Sequence, residues 1–342
     1  MTPGSDSSTS ILGFLEINRQ TLGRYAELIR RCLENSVFVT LAVHCNWDHD
    51  PPHFRSTETI SDFFIRCSTL SLSHEIHSLG LSCVSLVPQN ESGTSELVAV
   101  KNFNIATCTM QSSIHSGASL LQARKRGYDL NYLASEGCSY YRGRDARAKN
   151  SEECHALRLI FQQLHGNELN ASLLRPVVLA GGGLPSLIAA YSALSGLPGE
   201  NLTEFLQRIH GLFPGKLLDG ALIRSDEARK EKTTEVPALS FTTDEVDIED
   251  FLRFTDMKAD GNLKSFLSQP NRFHPAALDS LHAAQKVLKT PVDAEGKFSR
   301  SALTDLVKNH GNLLSAPGSS EVVKILPAAS ATFNPSKKKQ IE

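Results

Sequence analysis

The sequence has almost no net charge and lacks a long apolar run. Among its 342 residues, 35 lysines and arginines face 37 aspartates and glutamates, which leaves a formal charge of −2. Because no chain-wide positive field exists, nucleic acid would have to bind to local basic patches. No apolar run reaches the roughly 18 residues of a membrane span, and residues 1–10 lack the charged start of a signal peptide. We therefore expect an intracellular protein with no membrane partner.

Cysteine is scarce and unevenly distributed. The chain has seven cysteines, which is an odd number, and none lies beyond Cys154. Scattered cysteines in an intracellular protein are typical of reduced core thiols and not of a disulfide framework. The part of the sequence after Cys154 also excludes a zinc site that needs cysteine ligands.

The spacing of apolar residues predicts alternating helices and strands. Helical spacing over 19–35 leads into an apolar strand at 38–44, and period-two alternation around Leu81 and Val98 predicts a hairpin. The same patterns predict three further elements, namely a helix from Ser151, a strand at 176–180 and a helix from Asn201 to His210. This order indicates an α/β fold with a mixed central sheet flanked by helices.

One large domain accounts for most of the chain. Its 40% share of hydrophobic residues is enough for a sizeable core, which we assign to residues 12–290. Residues 1–11 are predicted to be a flexible N-terminus, and 291–342 a flexible tail rich in Gly, Ser, Pro and Ala. The acidic run at 244–250 contains no base, so we expect a disordered insertion over 225–268.

Three segments match, in order, the site motifs of a known nuclease group. The first strand carries Ala42 and His44, the helix after a triple-glycine turn carries Ser186, and His274 precedes Asp279 with four residues between them. These segments resemble the Asp-x-Glu strand, the His-Asn-Gly-Leu-x-Asp-Leu turn and helix, and the terminal His-x-x-x-x-Asp of the DEDD exonucleases. Asp279 alone keeps the carboxylate of the pattern.

Four more segments narrow this resemblance. They read Ser-Leu-Gly-Leu-Ser-Cys at 78–83, Phe-Asn-Ile at 103–105, Gly-Tyr-Asp-Leu-Asn at 127–131 and Phe-Pro-Gly-Lys-Leu-Leu-Asp at 213–219. Together they resemble the poly(A)-specific ribonuclease (PARN) family, most of all its nuclear branch, the "target of early growth response" 3′-end deadenylases. The resemblance implies an RNase H-like fold, dimerisation through the nuclease domain, and a nuclear location with a cytoplasmic pool as the alternative.

The resemblance also implies a two-metal site, for which most ligands are missing. A pair of Mg²⁺ ions needs several carboxylates. Ala42 has no ligand atom, the imidazole of His44 suits a hard cation poorly, and Ser186 supplies only a neutral hydroxyl. Asp279 is left as a residual, weak metal position. Asp219 matches a family aspartate that is not one of the four ligands.

Other residues offer alternatives at this site. His274 is a candidate residual general base, or else it caps the helix that Pro275 opens. Asp48 and Asp50 have the spacing of two ligands on one strand, but Asp48 lies about 20 Å beyond Ala42 along an extended chain. We interpret that segment as a polar loop. The histidines from His44 to His77 lack paired cysteines, so they do not predict a zinc site.

Basic residues and tyrosines are interleaved between 124 and 149. The candidates for RNA binding are Arg124, Lys125, Arg126, Arg142, Arg144 and Arg147. Cations for phosphates and aromatic rings for stacking are the features that hold single-stranded RNA. An ordinary solvated helix face with core tyrosines is the alternative.

Two functions compete. The first is a pseudo-exonuclease without a cofactor, which binds single-stranded RNA 3′ ends or acts as a dimerising scaffold, alone or with an active relative. The second is an active, Mg²⁺-dependent 3′→5′ exoribonuclease, a deadenylase that trims small nuclear RNA 3′ ends. A third, an unrelated α/β enzyme using His44, Cys45 and Asp48, has little support. The missing ligands favour the first function, because fold alone does not imply activity.

Overall fold

The computed structural model describes residues 10–47, 52–88, 96–143, 145–166, 174–214, 216–223, 257–259, 275–289, 300–318 and 322–325. In these ranges the strands are β1 (Ser10–Ile17), β2 (Phe38–Cys45), β3 (Ile76–Pro88), β4 (Glu96–Thr109), β5 (Cys138–Tyr140), β6 (Val177–Leu179), β7 (Leu217–Asp219), β8 (Met257–Ala259), β9 (Leu313–Ser315) and β10 (Val322–Lys324). The α-helices are α1 (Arg19–Glu34), α2 (Ile60–Ser73), α3 (Gly117–Lys125), α4 (Leu130–Glu136), α5 (Glu152–Gln162), α6 (Gly183–Leu194), α7 (Leu202–Leu212), α8 (Pro275–Lys289) and α9 (Arg300–His310).

The predicted mixed sheet is confirmed. Its main path runs β7-β6-β2-β3-β4-β1-β8, and β5 pairs with β4 beside that path. Strands β2, β3 and β4 are antiparallel neighbours, whereas β6 is parallel to β2 and β7 is parallel to β6. The predicted hairpin is the β3–β4 pair, in which Leu81 lies opposite Phe103.

Local sequence signals fix several helix starts. The side chain of Asn18 accepts hydrogen bonds from the backbone of Gln20 and Thr21, so α1 begins where its apolar spacing begins. The predicted starts at Ser151 and Asn201 are confirmed, because each of these residues is the N-cap of its helix.

The two faces of β2 are covered by different helices. Val39, Leu41 and Val43 belong to an apolar cluster that includes side chains of α1, α2, α5, α6 and α7. Ala42 belongs to a second cluster, built mainly with α8 and α9. The buried Thr40 also faces α8, because its hydroxyl lies 2.6 Å from the Ser280 hydroxyl. Alternation along one strand therefore separates the two layers of helices.

Helix α8 packs directly on the sheet at a glycine. Gly80 on β3 is the register partner of Ala42 on β2. A Cβ atom at Gly80 would lie 1.9 Å from the carbonyl oxygen of Ala276 on α8. The helix backbone can come this close only because no side chain projects from the strand at that point.

The predicted flexible C-terminal tail is wrong for residues 300–318 and 322–325. These residues form α9 and the β9–β10 hairpin. Leu306 and Leu314 are 5% and 0% exposed, so both belong to the core. The two strands have three residues each and α9 has 11, so none of them has a long periodic pattern, which explains the error. Residues 326–342 lie outside the described residues.

The predicted N-terminus and insertion are only partly within the structure. Strand β1 already begins at Ser10, inside the stretch predicted to be flexible, and its register with β4 runs from Leu12 to Ile17. Within the predicted insertion, the structure describes 257–259, which form β8 beside β1. The rest of 225–268 lies outside the described residues.

The seven cysteines are free thiols, of which five are buried and two, Cys32 and Cys108, are partly buried. Burial raises the pKa of Cys67, Cys83 and Cys138 to about 12, so these thiols are protonated at neutral pH. Among the helices of the described ranges, none is both long enough and apolar enough to cross a membrane.

Candidate functional site

A buried histidine and a half-exposed aspartate form the centre of the candidate site. His44 lies near the end of β2, and its Nε2 is 2.7 Å from Oδ2 of Asp279 on α8. On the other side of the ring, Nδ1 is 2.9 Å from the Tyr128 hydroxyl. That hydroxyl lies 2.5 Å from the hydroxyl of Ser78, which is the register partner of His44. The four residues form one continuous hydrogen-bonded chain.

The charge on Asp279 sets the direction of this chain. Burial raises the pKa of Asp279, but the hydrogen bond from His44 and the nearby charge of Arg126 help to outweigh that effect, so the pKa is below its ordinary value. An ionised carboxylate accepts, so the proton of His44 is on Nε2 and Nδ1 accepts from Tyr128. The Tyr128 oxygen then accepts from Ser78.

The predicted ligand positions are not all brought together. Ala42 and His44 lie on the face of the sheet that Asp279 covers, and Ala42 is 3% exposed in the cluster beneath α8. Ser186 lies in the first turn of α6, whose apolar side chains pack with the opposite face of the sheet. Three of the four positions therefore lie on the α8 side of the sheet. Of these three residues, only Asp279 has a carboxylate.

Two other predicted groups lie outside the described residues. His274 immediately precedes α8, so its role as a general base or a cap stays a prediction. Asp48 and Asp50 come directly after the described range that ends at 47. The interpretation of that segment as a loop therefore stays a prediction.

Asp219 has a structural role. It is fully buried at the end of β7, where Oδ2 accepts hydrogen bonds from the backbone N–H and the hydroxyl of Ser315, and Oδ1 accepts from the backbone N–H of Ala221. Burial raises the pKa of Asp219 above its ordinary value despite these donors. This carboxylate fastens the β9–β10 hairpin to the sheet.

Arg142 was wrongly predicted to bind RNA. It is 5% exposed, and its guanidinium donates to the backbone carbonyls of His74 and Ser112. Its backbone N–H donates to Oε1 of Gln111 over 2.6 Å. The spacing of basic residues in a sequence does not distinguish an arginine that binds phosphate from one that donates to backbone carbonyls, such as that of the C-cap of α2. Arg142 therefore joins loops and is not presented to a ligand.

The other two RNA-binding candidates between 142 and 149 are Arg147, which is paired within the protein, and Arg144, which lies outside the described residues. Arg147 is exposed, but its guanidinium is 2.7 Å from Asp145 Oδ2 and lies over the ring of Tyr141 at 5.1 Å. Tyr140 is a core residue, since it is 1% exposed and its hydroxyl accepts from the backbone of Ile76. Arg144 lies outside the described residues.

The basic residues at 124–126 lie beside the candidate site. Arg124 and Lys125 are exposed in the last turn of α3, and Arg126 is near enough to lower the pKa of Asp279. Arg124 and Tyr128 line a shallow depression of about 630 Å³ between α3 and α4. The depression therefore places exposed cations next to the tyrosine that contacts His44.

Sequence patterns placed Tyr128 only among the tyrosines of the basic segment and did not predict its contact with His44. The Tyr128 hydroxyl contacts Ser78 and His44, which are 50 and 84 residues away along the chain. Such contacts leave no periodic or motif signal, although Tyr128 stands in one of the segments that carry the family resemblance.

Comparisons with known proteins give structural neighbours but no sequence relatives. Neither protein-family models nor curated proteins match the sequence. Among solved structures, the Mg²⁺- and Mn²⁺-bound form of S. pombe Pop2p has a TM-score of 0.47 and 13% identity over 80% of this chain and 91% of its own. The RNase domain of the yeast Pop2 protein has a TM-score of 0.45 and 12% identity over 83% and 89%. A chain in the structure of the yeast NOT1 MIF4G domain co-crystallised with CAF1 has a TM-score of 0.45 and 11% identity over 87% of this chain and 96% of its own. At these values the likenesses do not assign the chain to a family.

Proposed function

We propose that this chain is a pseudo-exonuclease of the PARN type, which binds single-stranded RNA 3′ ends without hydrolysing them. The observation that carries the proposal is the hydrogen bond from His44 to Asp279. It places an imidazole N–H on the carboxylate oxygen that a metal ion would otherwise use.

The sheet supports the fold part of the proposal. The order β4-β3-β2-β6-β7 combines an antiparallel meander with two strands parallel to its first strand, as in an RNase H-like fold. In such a fold, residues at the end of the first meander strand and on a late helix face each other. Here those residues are His44 on β2 and Asp279 on α8.

The chemistry of these residues opposes metal catalysis. Two divalent ions bring four positive charges, which several carboxylates must neutralise. Ala42 carries no ligand atom and is packed beneath α8, and the Nε2 of His44 already donates to Asp279. With one carboxylate left and that carboxylate paired, the site lacks the charge to hold an Mg²⁺ pair.

The proposed RNA contact is the basic group of the exposed Arg124 and Lys125 and the partly buried Arg126. These cations lie at the C-terminal end of α3, next to the depression that Tyr128 lines. Phosphates would bind the cations, and a base could stack in the depression. A role on small nuclear RNA 3′ ends, a nuclear location and a dimer with itself or an active relative belong to the same proposal.

The experiment is a binding titration with a 3′-oligoadenylated single-stranded RNA at several salt concentrations. The variant Arg124→Ala/Lys125→Ala should bind more weakly, and its salt slope should fall by about 0.7 log units for each phosphate that the variant no longer binds. The matched control is Arg24→Ala/Lys308→Ala, which removes two exposed cations on α1 and α9. An equal loss of affinity in both double variants, or an unchanged slope in the first, would refute the proposed RNA-binding group.

The same RNA also tests the alternative function. Incubation with Mg²⁺ should leave its length unchanged if the chain is a pseudo-exonuclease. Stepwise shortening would show an active exoribonuclease, whatever the binding data show.

A further inference from the structure

A second polar cluster lies beside Tyr128, outside the His44–Asp279 pair. It consists of Glu75, His77 and His115, whose ligand-type atoms all lie within 4.8 Å of one another. We propose that Glu75, His77 and His115 bind a divalent transition-metal ion of the Zn²⁺ class, with a fourth coordination position open to solvent.

A β-bulge directs His77 into this cluster. His44 pairs with Ser78 and the next β2 residue, Cys45, pairs with Ile76, so His77 is the extra residue of β3. A bulge bends its strand and re-aims the extra side chain. His77 is 1% exposed, and its Nε2 has no hydrogen-bond partner among the described residues. A buried ring nitrogen without a partner costs free energy unless something binds it.

The two separations from Glu75 to the histidines fit a tetrahedral ion better than hydrogen bonds. Glu75 Oε1 lies 3.3 Å from His77 Nε2 and 3.5 Å from His115 Nε2, beyond the usual N–H···O range. A tetrahedral Zn²⁺ with bonds of about 2.0–2.1 Å separates its ligand atoms by roughly 3.3–3.4 Å. Two imidazoles and one carboxylate form a donor set that suits Zn²⁺ and not Mg²⁺.

Charge and access also fit a cation. The cluster pairs two imidazoles with one carboxylate, and Glu75 Oε1 is the oxygen that approaches both rings. The side chain of His115 is 29% exposed, whereas that of His77 is 2% exposed. Solvent therefore reaches the cluster from the side of His115, where the fourth position would be.

Binding requires one proton to move. Asn46 Nδ2 donates to His115 Nδ1 over 2.9 Å, and Asn46 Oδ1 accepts from the backbone N–H of Glu75. The proton of metal-free His115 is therefore on Nε2, near Ser113. When Nε2 binds the ion, this proton shifts to Nδ1, and the Asn46 side chain must turn to accept it. A side chain at position 46 that only accepts hydrogen bonds would favour the tautomer of His115 that binds metal, with its proton on Nδ1.

The test is a zinc titration of the full chain, freed of metal by a chelator, with a chromophoric competitor as the readout. We expect one tight equivalent in the wild type and in the control His155→Ala, which removes an exposed histidine elsewhere. Glu75→Gln and His115→Ala should each weaken binding by about tenfold or more. These two variants carry the test because replacing the fully buried His77 endangers the fold.

Two further measurements sharpen the test. Cobalt(II) at the site should give the strong visible bands of a tetrahedral ion without a thiolate charge-transfer band, which separates this site from the cysteines. Asn46→Asp should tighten zinc binding, because a carboxylate accepts the shifted proton. The proposal is overturned if the wild type takes up no zinc, if Glu75→Gln and His115→Ala bind like the wild type, or if thiolate bands appear.

Discussion

His44 on β2 donates a hydrogen bond to Asp279 on α8 over 2.7 Å, at the point where the strand and the helix face each other. The Asp279 carboxylate is therefore satisfied by a donor within the protein. Under the proposed function, this donor stands where a metal-dependent nuclease would have a second carboxylate.

The first prediction concerns the strength of this pair. Replacing His44 by Ala should destabilise the fold by about 1–2 kcal/mol, because the Asp279 carboxylate loses a charged hydrogen bond but is 39% exposed and partly screened. In a double-mutant cycle with Asp279→Asn, measured by urea unfolding, the two changes should couple. Arg31→Ala, which removes the exposed pair with Glu27, should be almost neutral, because water screens that pair. Additive effects of His44→Ala and Asp279→Asn would contradict the pairing.

The second prediction is a pH dependence. The pKa of Asp279 is lower in the folded protein than its ordinary value, because the hydrogen bond from His44, with nearby positive charge, overcomes the effect of burial. Its contribution to stability is therefore complete above the unfolded pKa and is lost as pH falls through the folded pKa. The stability difference between wild type and Asp279→Asn should shrink between about pH 5 and pH 2. A difference that stays constant over this range would be the contrary result.

The third prediction uses two glycines with opposite surroundings. Gly80→Ala should destabilise by at least about 2 kcal/mol, since the new Cβ would meet the Ala276 carbonyl of α8. Gly23→Ala should stabilise by about 0.5–1 kcal/mol, because Gly23 lies within α1 with nothing within 4 Å of the new atom. Denaturant unfolding of both variants decides the matter. Equal effects would mean that α8 does not pack on β3 as described.

The fourth prediction concerns the C-terminal hairpin. Asp219→Ala should cost about 3 kcal/mol or more, because two donors of Ser315 and one of Ala221 lose their acceptor in the core. Hydrogen exchange should then accelerate at β9 before it does at β2. Asp305→Ala, at an exposed position on α9, is the control and should be almost neutral. Unchanged protection of β9 in Asp219→Ala would show that the hairpin is held by other contacts.

The sequence predicted those parts of the fold that have long periodic patterns. The helix at 19–35 and the strands around Leu81 and Val98 are present because apolar spacing and burial coincide there. The elements at 300–318 and 322–325 were not predicted because the strands have three residues each and the helix has only 11, which is too few for a long periodic pattern.

The candidate site was predictable only in part. Ala42, His44 and Asp279 were found from motif spacing, since the resemblance marks the positions. The roles of Tyr128 and Arg142 depend on contacts between residues that are distant in the sequence. A β-bulge at His77 shifts a side chain by one register position, which period-two alternation cannot reveal.

The proposed function holds that the His44–Asp279 pair stands in place of a catalytic metal site. The most direct measurement is a time course of a 3′-oligoadenylated RNA with the full chain in Mg²⁺, resolved to single nucleotides, beside Asp279→Asn. We predict RNA of unchanged length in both samples. Stepwise 3′ shortening by the wild type that disappears in Asp279→Asn would contradict the claim.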